Sequence, residues 1–117
     1  MTAPLDFTAL ATVSQIGEGE MIAVDAGGHA VLLARVDGEW FAASNVCTHL
    51  RARLHLGSLA GHRLACPLHG GAFDIRTGAP LCEPVRRGIE IYPVRLNGDA
   101  IEVALPREAS PEPGFEW

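Results

Sequence analysis

The sequence predicts an all-β fold. Short runs rich in β-branched, aromatic and other apolar residues recur along the chain, and most of them end at a Gly, Asn or Asp turn signal. No stretch shows the 3.6-residue periodicity of an amphipathic helix. At 117 residues the chain has room for one domain and one core. We therefore expect one domain over residues 1–105, followed by a loose tail over 106–117, where prolines recur without periodicity.

The first third of the chain predicts four strands. Residues 8–16 form a first β-rich run, and residues 21–26 alternate before a Gly-Gly turn. A third strand over residues 30–36 leads into Asp37-Gly38, the strongest hairpin signal in the chain, since both positions tolerate a positive φ. The partner strand follows at residues 40–43.

The remaining elements are shorter and are separated by further turn signals. Residues 57–61 predict a turn, and Asn97-Gly98-Asp99 predicts a closing hairpin. The predicted strands lie at 62–65, 73–75, 89–96 and 100–105, with an extended stretch at 80–85.

Two short motifs supply metal-binding side chains from separate segments. Cys47-Thr48-His49 and Cys66-Pro67-Leu68-His69 each contain one Cys and one His, and sixteen residues separate His49 from Cys66. Structural zinc sites usually pair Cys with Cys and His with His at fixed spacings. One thiolate and one imidazole from each segment instead suit a binuclear centre, in which two thiolates hold one iron and two imidazoles the other.

With these motifs, and with Gly70-Gly71-Ala72-Phe73-Asp74 and Arg76-Thr77-Gly78 following them, the chain resembles a Rieske 2Fe–2S protein. It is most similar to the small Rieske ferredoxins of ring-hydroxylating oxygenase systems, from about residue 9 to residue 104. The resemblance implies an antiparallel β-sandwich with a small cluster-binding subdomain at about residues 45–85. It also implies one Rieske-type 2Fe–2S cluster per chain, bound by Cys47, His49, Cys66 and His69.

What the resemblance implies about function is one-electron transfer. The donor would be an NAD(P)H-dependent flavin reductase, and the acceptor would be the terminal component of an oxygenase that hydroxylates aromatic compounds. A Glu83-Pro84 step matches the proline-bearing loop that shields the cluster in the family. The protein would then be an electron carrier in aromatic hydrocarbon catabolism, not an enzyme. The chain is too short for an oxygenase domain, and His29, His55 and His62 form no recognisable pair on one helix face.

Three other functions fit part of the pattern. A small subunit of a nitrite-reductase-type complex would share the fold, although such subunits often lack the four ligands. A zinc-binding structural module would use the same side chains, and iron and sulfide analysis separates it. A redox sensor would need an exposed, reactive thiol, for which Cys82 is the candidate; we interpret Cys82 instead as a small buried hydrophobe.

The charge pattern places positive charge around the ligand motifs. Residues 1–50, 51–87 and 88–117 have net charges of −5, +4 and −4, and every one of the nine basic residues is Arg. The basic segment predicts acidic partner surfaces, with a solvated face as the alternative. Nucleic acid is a poor partner for an acidic chain with no aromatic residues between its arginines.

The compartment follows from the cysteines and the N-terminus. Three cysteines, two of them assigned to metal, leave no disulfide framework within the chain, which indicates a reducing, cytoplasmic environment. Residues 1–20 show neither the basic and apolar regions of a signal peptide nor a membrane anchor. We therefore expect a soluble protein.

Other residues near the motifs have more ordinary interpretations. Asp74 is expected to bind backbone amides at a strand end, Trp40 to pack in the core or on its hairpin, and His55 to lie at the surface. Arg51 and Arg53 depart from the small residues usual in the family just after the first histidine.

Two positions predict a low reduction potential. In high-potential Rieske proteins, a Ser and a Tyr of the second loop donate hydrogen bonds to sulfur. This chain has Gly71 and Phe73 at those positions, and Arg51 and Leu68 where a disulfide would join the loops.

Overall fold

The structure, a computed structural model, describes residues 7–48, 51–68, 71–82, 85 and 87–106. Within these residues it confirms the all-β prediction, with eleven strands in three antiparallel sheets and two single-turn 3₁₀ helices. The strands are β1 (Phe7–Thr12), β2 (Met21–Ala26), β3 (His29–Val36), β4 (Glu39–Ser44), β5 (Ser58–Ala60), β6 (Arg63–Ala65), β7 (Ala72–Asp74), β8 (Pro80–Cys82), β9 (Ile91–Tyr92), β10 (Val94–Asn97) and β11 (Ala100–Ala104). The 3₁₀ helices span Val13–Gln15 and Leu54–Leu56.

A central sheet, β2-β3-β4-β9, is covered by apolar side chains on both faces. Val31 and Leu33 of β3 pack with Ile101 and Val103 of the outer sheet, β1-β11-β10. Successive side chains of a strand point to opposite faces, so Leu32 and its neighbours on the other face join a second cluster, which includes the two motif cysteines. The central sheet therefore separates the outer sheet from the metal-binding region.

The third sheet, β5-β6-β7-β8, is here called the site sheet because β6 and β7 flank the second motif. The predicted turn at residues 57–61 was wrong in part, because residues 58–60 form strand β5. Gly61, at φ 58°, makes the turn so tight that Ala60 already pairs with Arg63. The neighbouring strands lie close to their predicted positions, at β6 and β7, and the extended stretch contains β8.

The first predicted strand ends earlier than expected. Strand β1 stops at Thr12, and Val13–Gln15 form a 3₁₀ turn. The side-chain Oε1 of Gln15 accepts a hydrogen bond from the backbone N–H of Thr12 at 2.7 Å. Polar side chains that bond nearby backbone groups compete with sheet pairing in this way.

The strand predicted at residues 89–96 is divided between two sheets. Strand β9 pairs with β4 of the central sheet, whereas β10 pairs with β11 of the outer sheet. Pro93 lies between them; it has no N–H for a ladder, and its carbonyl accepts from Ala104. The hairpin predicted between β10 and β11 is confirmed, with Gly98 at φ 60°.

The Asp37-Gly38 hairpin is also confirmed, with φ values of 52° and 77°. Its two backbone N–H groups donate to the carboxylate of Glu18. These bonds hold the pKa of Glu18 below its usual range. Trp40 packs on this hairpin as predicted, under the guanidinium of Arg35 at 5.1 Å from the ring centroid.

No helix among the described residues is long and apolar enough to cross a membrane. The tail predicted over 106–117 lies outside the described residues from 107 onward.

Candidate metal centre

The first ligand loop, which carries the Cys47-Thr48-His49 motif, begins at the end of β4. Backbone hydrogen bonds between its two arms form a narrow stem. The N–H of Cys47 donates to the carbonyl of Ala52, and the N–H of Arg51 donates to the carbonyl of Cys47, both at 2.9 Å. An isolated bridge between Val46 and Arg53 continues the stem. Arg51 has a φ of 58°, a conformation that favours Gly or Asn. Arg51, one of the two arginines that depart from the family pattern, therefore lies at the tight end of this turn.

The second ligand loop joins β6 to β7 within the site sheet. The N–H of Cys66 donates to the carbonyl of Gly71 at 2.7 Å, which closes the loop directly after β6. Leu64 and Phe73, which pair across β6 and β7, are fully buried. The sheet therefore presents Cys66 from a rigid, packed base.

The two motif cysteines meet in the core between the central and site sheets. Cys47 is 1% exposed and Cys66 is 6% exposed, and their side chains lie within hydrogen-bonding contact. Burial raises the pKa of the Cys66 thiol to about 11; a bond from the Leu68 N–H opposes this, and the neighbouring Cys47 adds to it. No disulfide bond joins them. Two thiols held together in an apolar site become stable thiolates when a metal ion supplies positive charge. The donor chemistry therefore fits the thiolate half of an iron–sulfur centre.

The imidazole half cannot be built from the described residues, since His49 and His69 lie outside them. Accordingly, no group of three or more His, Cys, Asp or Glu side chains that could hold a metal occurs in the described part of the chain. The structure brings together two of the four ligands expected from the sequence, and the assignment of the two histidines stays a prediction.

A third segment, residues 87–89, contacts the first ligand motif and the turn that follows β7, and sequence reasoning did not identify its role. The hydroxyl of Thr48 donates to the carbonyl of Arg87 at 2.7 Å. The N–H of Ile89 donates to the carbonyl of Gly78 at 2.9 Å. Gly78, at φ 82°, lies so close to the Ile89 carbonyl that a Cβ atom would not fit. The predicted shielding step Glu83-Pro84 lies outside the described residues.

Asn45 was also missed by sequence reasoning. It is 2% exposed and bonds through its side chain to His55, at the base of the first ligand loop. His55 is accordingly half-buried and hydrogen-bonded, rather than the surface histidine expected from the sequence. The sequence signal that could have identified Asn45 is a polar residue two positions before the ligand Cys47.

Around the site sheet, the charged side chains bond locally. As predicted, Asp74 accepts from a backbone N–H, that of Arg76, whose side chain also pairs with the carboxylate at 2.9 Å and 3.0 Å. These bonds hold the pKa of Asp74 below its usual range. Cys82 is half-buried, and its Sγ lies 3.4 Å from Nη2 of Arg63. It is therefore more polar in its surroundings than the buried hydrophobe predicted.

Exposed leucines lie on segments that adjoin or follow the ligand loops. Leu56 is 67% exposed in the second 3₁₀ helix, and Leu68 is 48% exposed in the second motif. Leu81, on edge strand β8, is 44% exposed. Four arginines of the same part of the chain, Arg53, Arg63, Arg76 and Arg87, are also exposed.

Comparisons with known proteins identify the family of this chain. Residues 6–93 match the Rieske [2Fe-2S] domain family. The chain is 42% identical over 91 residues to the ferredoxin component of the naphthalene 1,2-dioxygenase system of Pseudomonas aeruginosa, which covers 78% of this chain and 88% of that protein.

Solved structures give the same result. The ferredoxin of carbazole 1,9a-dioxygenase from Nocardioides aromaticivorans IC177 superposes with a TM-score of 0.81 at 36% identity, covering 84% of this chain and 96% of that one. A chain in the complex of reduced oxygenase and oxidized ferredoxin of carbazole 1,9a-dioxygenase gives a TM-score of 0.81 at 28% identity, covering 89% and 95%. The chain therefore belongs to the Rieske [2Fe-2S] family, and it is a cluster-binding electron carrier.

Proposed function

We propose that this protein is the ferredoxin component of a ring-hydroxylating oxygenase system that acts on an aromatic compound. It accepts an electron from an NAD(P)H-dependent flavin reductase and delivers it to the terminal oxygenase. The observation that carries the proposal is the meeting of the buried Cys47 and Cys66 thiols from two separate loops. The names of the relatives, ferredoxin components of naphthalene and carbazole dioxygenases, support the choice of system.

The proposed ligands are Cys47, His49, Cys66 and His69. A Rieske cluster held by these side chains would supply one-electron redox chemistry. The chain's part is to hold the two thiolates away from water, which burial of Cys47 and Cys66 accomplishes. Hydrogen bonds around a metal site fix the orientation of its ligands. Here Ala52 and Gly71 provide them, through carbonyls that accept from the N–H groups of the two cysteines.

The proposed docking surface comprises Leu56, Leu68 and Leu81 with Arg51 and Arg53. The exposed leucines provide apolar contact, and the arginines attract acidic partners. Both the reductase and the oxygenase would use this surface in turn, because an electron must enter and leave near the same centre.

Two further assignments belong to the proposal. One Rieske domain spans residues 1–105, with its cluster-binding part at about 45–85 and a loose tail over 106–117; the site sheet, whose strands lie between residues 58 and 82, supports the subdivision. The protein works in the cytoplasm, which the three cysteines without a disulfide bond support.

Analysis of the purified protein tests the proposal. We expect a red-brown protein with two irons and two acid-labile sulfides per chain. The reduced form should give the anisotropic EPR signal of mixed nitrogen and sulfur ligation. Substitution of His49 or Cys66 by Ala should abolish the cluster, whereas Cys82→Ala, the matched cysteine control, should retain it. A colourless protein containing one zinc ion would contradict the proposal.

A further inference from the structure

Asn45 uses all of its polar groups at the base of the first ligand loop. Its backbone N–H donates to the carbonyl of Ala30 in β3, and its carbonyl accepts from Leu54, both at 2.9 Å. Its side-chain Oδ1 accepts from the backbone N–H of His55 at 2.8 Å, and its Nδ2 lies 2.8 Å from Nδ1 of His55. A buried amide with every group bonded fixes its neighbours, because each lost bond would leave an unsatisfied polar atom.

The contact also fixes the position of a proton on His55. The backbone N–H of His55 requires an oxygen opposite it, which sets the orientation of the Asn45 amide. Nδ2 of Asn45 then faces Nδ1 of His55 and donates to it, so Nδ1 must be the acceptor. The bonded imidazole is therefore the tautomer whose ring proton is on Nε2.

Asn45 precedes the stem of the first ligand loop in the sequence, and His55 follows it. Within the stem, the bonds are backbone contacts such as that from Cys47 to Ala52. Asn45 bonds to Ala30 of the central sheet at the start of the stem. His55 lies in the 3₁₀ helix that follows the stem, and its backbone and its ring both bond to the side chain of Asn45.

We propose that Asn45 and His55 are positioning residues for the redox centre: their double hydrogen bond fixes the first ligand loop on the central sheet and so sets the place of the Cys47 thiolate. This inference rests on the ligand set proposed above. The feature that matters is a hydrogen-bond acceptor on Cγ of residue 55, at the place of Nδ1.

Two substitutions of His55 isolate that acceptor. His55→Asn retains an acceptor oxygen on Cγ at the position of Nδ1, whereas His55→Leu keeps similar branching at Cγ with no acceptor. We expect His55→Leu to bleach about tenfold faster in the presence of an iron chelator. A factor of ten corresponds to about 1.4 kcal/mol, which is of the order expected when a buried hydrogen-bond donor loses its acceptor. The EPR g-values and midpoint potential of the remaining cluster should also change, and His55→Asn should restore all three properties.

Glu18→Ala is the control for a general loss of stability. It removes two hydrogen bonds from the Asp37-Gly38 hairpin of the central sheet. It should lower the melting temperature without changing the g-values or the bleaching rate measured well below that temperature. Where His55→Leu does not accumulate as folded protein, the smaller His55→Ala replaces it, since it also lacks the acceptor.

Equal bleaching rates and g-values in wild type and His55→Leu would overturn the inference. The same conclusion would follow if His55→Asn behaved like His55→Leu. A wild-type protein without iron would instead contradict the proposed ligand set. In that case amide hydrogen exchange of Cys47 and Leu54 decides the inference, because loosening of the stem accelerates exchange whatever the loop binds.

Discussion

Gly57 lies against the backbone carbonyl of Ala65, and no side chain fits between them. Gly57 follows the 3₁₀ helix that ends the first ligand loop, whereas Ala65 is the last residue of β6 before Cys66. The backbone nitrogen of Pro67 lies on the same side, 3.0 Å from the position of a Cβ atom on Gly57. The two ligand loops are therefore joined by a direct backbone contact at a glycine.

Substitution of Gly57 by Ala should separate the loops. A Cβ atom would collide with backbone, which cannot rotate away as a side chain can, so we expect a destabilisation of about 2 kcal/mol. For a domain of about 100 residues this corresponds to a fall of roughly 8–16 °C in melting temperature. Calorimetry measures the fall, and the visible spectrum reports the accompanying loss of cluster.

Gly61→Asn is the matched control for this substitution. Gly61 has open space around its Cβ position and a φ of 58°, which Asn tolerates. It should retain the cluster and melt within about 3 °C of wild type, since surface substitutions usually stay within about 0.5 kcal/mol. Equal behaviour of the two glycine variants would show that the close contact is unimportant.

The lowered pKa of Asp74 makes part of the stability depend on pH. Bonds from the Arg76 side chain are the main cause, with the Arg76 backbone N–H adding to them. Because the folded-state pKa is depressed, the contribution is fully present above the unfolded-state value, roughly 3.9, and is lost as pH falls through the folded-state value. Asp74→Asn should therefore lower stability at pH 7 and have a diminishing effect as pH falls below about 4.

Denaturant unfolding at pH 7 and at successive lower values checks this dependence. Asp25 lies at an exposed position of β2, so Asp25→Asn serves as the comparison in which a carboxylate is removed away from Asp74. A constant difference between wild type and Asp74→Asn across the pH range would contradict the linkage. The effect at pH 7 should be small, because the Arg76 side chain is 57% exposed and water screens the pair.

Docking through the basic surface predicts salt-dependent electron transfer. Charge reversal at Arg51, Arg53 or Arg86 should slow turnover with the reductase or the oxygenase and flatten its dependence on ionic strength. The visible spectrum should stay unchanged. Arg86 lies outside the described residues, so its reversal tests the charge count of the segment rather than a specific contact.

Reversal of Arg95 provides the control for net charge. Arg95 lies on β10 of the outer sheet, on the far side of the central sheet from the site sheet, where it pairs with Glu102 at 2.7 Å. Its reversal changes the net charge equally but should leave the association rate close to wild type. If all three reversals near the ligand loops also leave rates and salt dependence unchanged, the basic segment is only a solvated face.

The sequence was sufficient for the fold class because turn signals such as Asp37-Gly38 act locally, through backbone conformations that only a few residues adopt readily. The division of residues 89–96 between two sheets was not predictable in the same way. Whether a strand changes partners at Pro93 depends on long-range packing, which alternation within the strand does not report.

The site shows the same difference between local and long-range information. Cys47 and Cys66 were identified because ligand type and spacing are local properties of the sequence, and the structure brings them together. The contact of Asn45 with His55 spans ten residues, and that of Thr48 with Arg87 spans thirty-nine. Neither pair has a motif, because any suitably placed donor and acceptor could form the bond.

The reduction potential should lie near the bottom of the Rieske range, which runs from roughly −150 to +300 mV. Gly71 and Phe73 provide no hydroxyl where high-potential relatives donate to sulfur. Phe73 is fully buried in the cluster of apolar side chains that contains both motif cysteines, so its ring excludes water from this part of the core. Hydrogen bonds to sulfur favour the more negative, reduced state, and their loss lowers the potential.

The arginines of the basic segment, residues 51–87, would instead raise the reduction potential, since positive charge favours the more negative, reduced state. Arg53, Arg63, Arg76 and Arg87 are exposed, however, and water and salt screen them. The missing hydroxyls should therefore dominate. Protein-film voltammetry near neutral pH measures the result, and a midpoint well above zero would contradict it.

Restoring the hydroxyls tests the cause. Gly71→Ser and Phe73→Tyr, singly and together, should raise the midpoint, with the double variant highest. Phe73→Leu is the control for altered packing, because it changes the buried volume without adding a donor. If Phe73→Leu raises the midpoint as much as Phe73→Tyr, packing and water access set the potential, and hydrogen bonding to sulfur does not. The low potential of the wild-type protein would suit a carrier that takes electrons from a reduced flavin and gives them to an oxygenase.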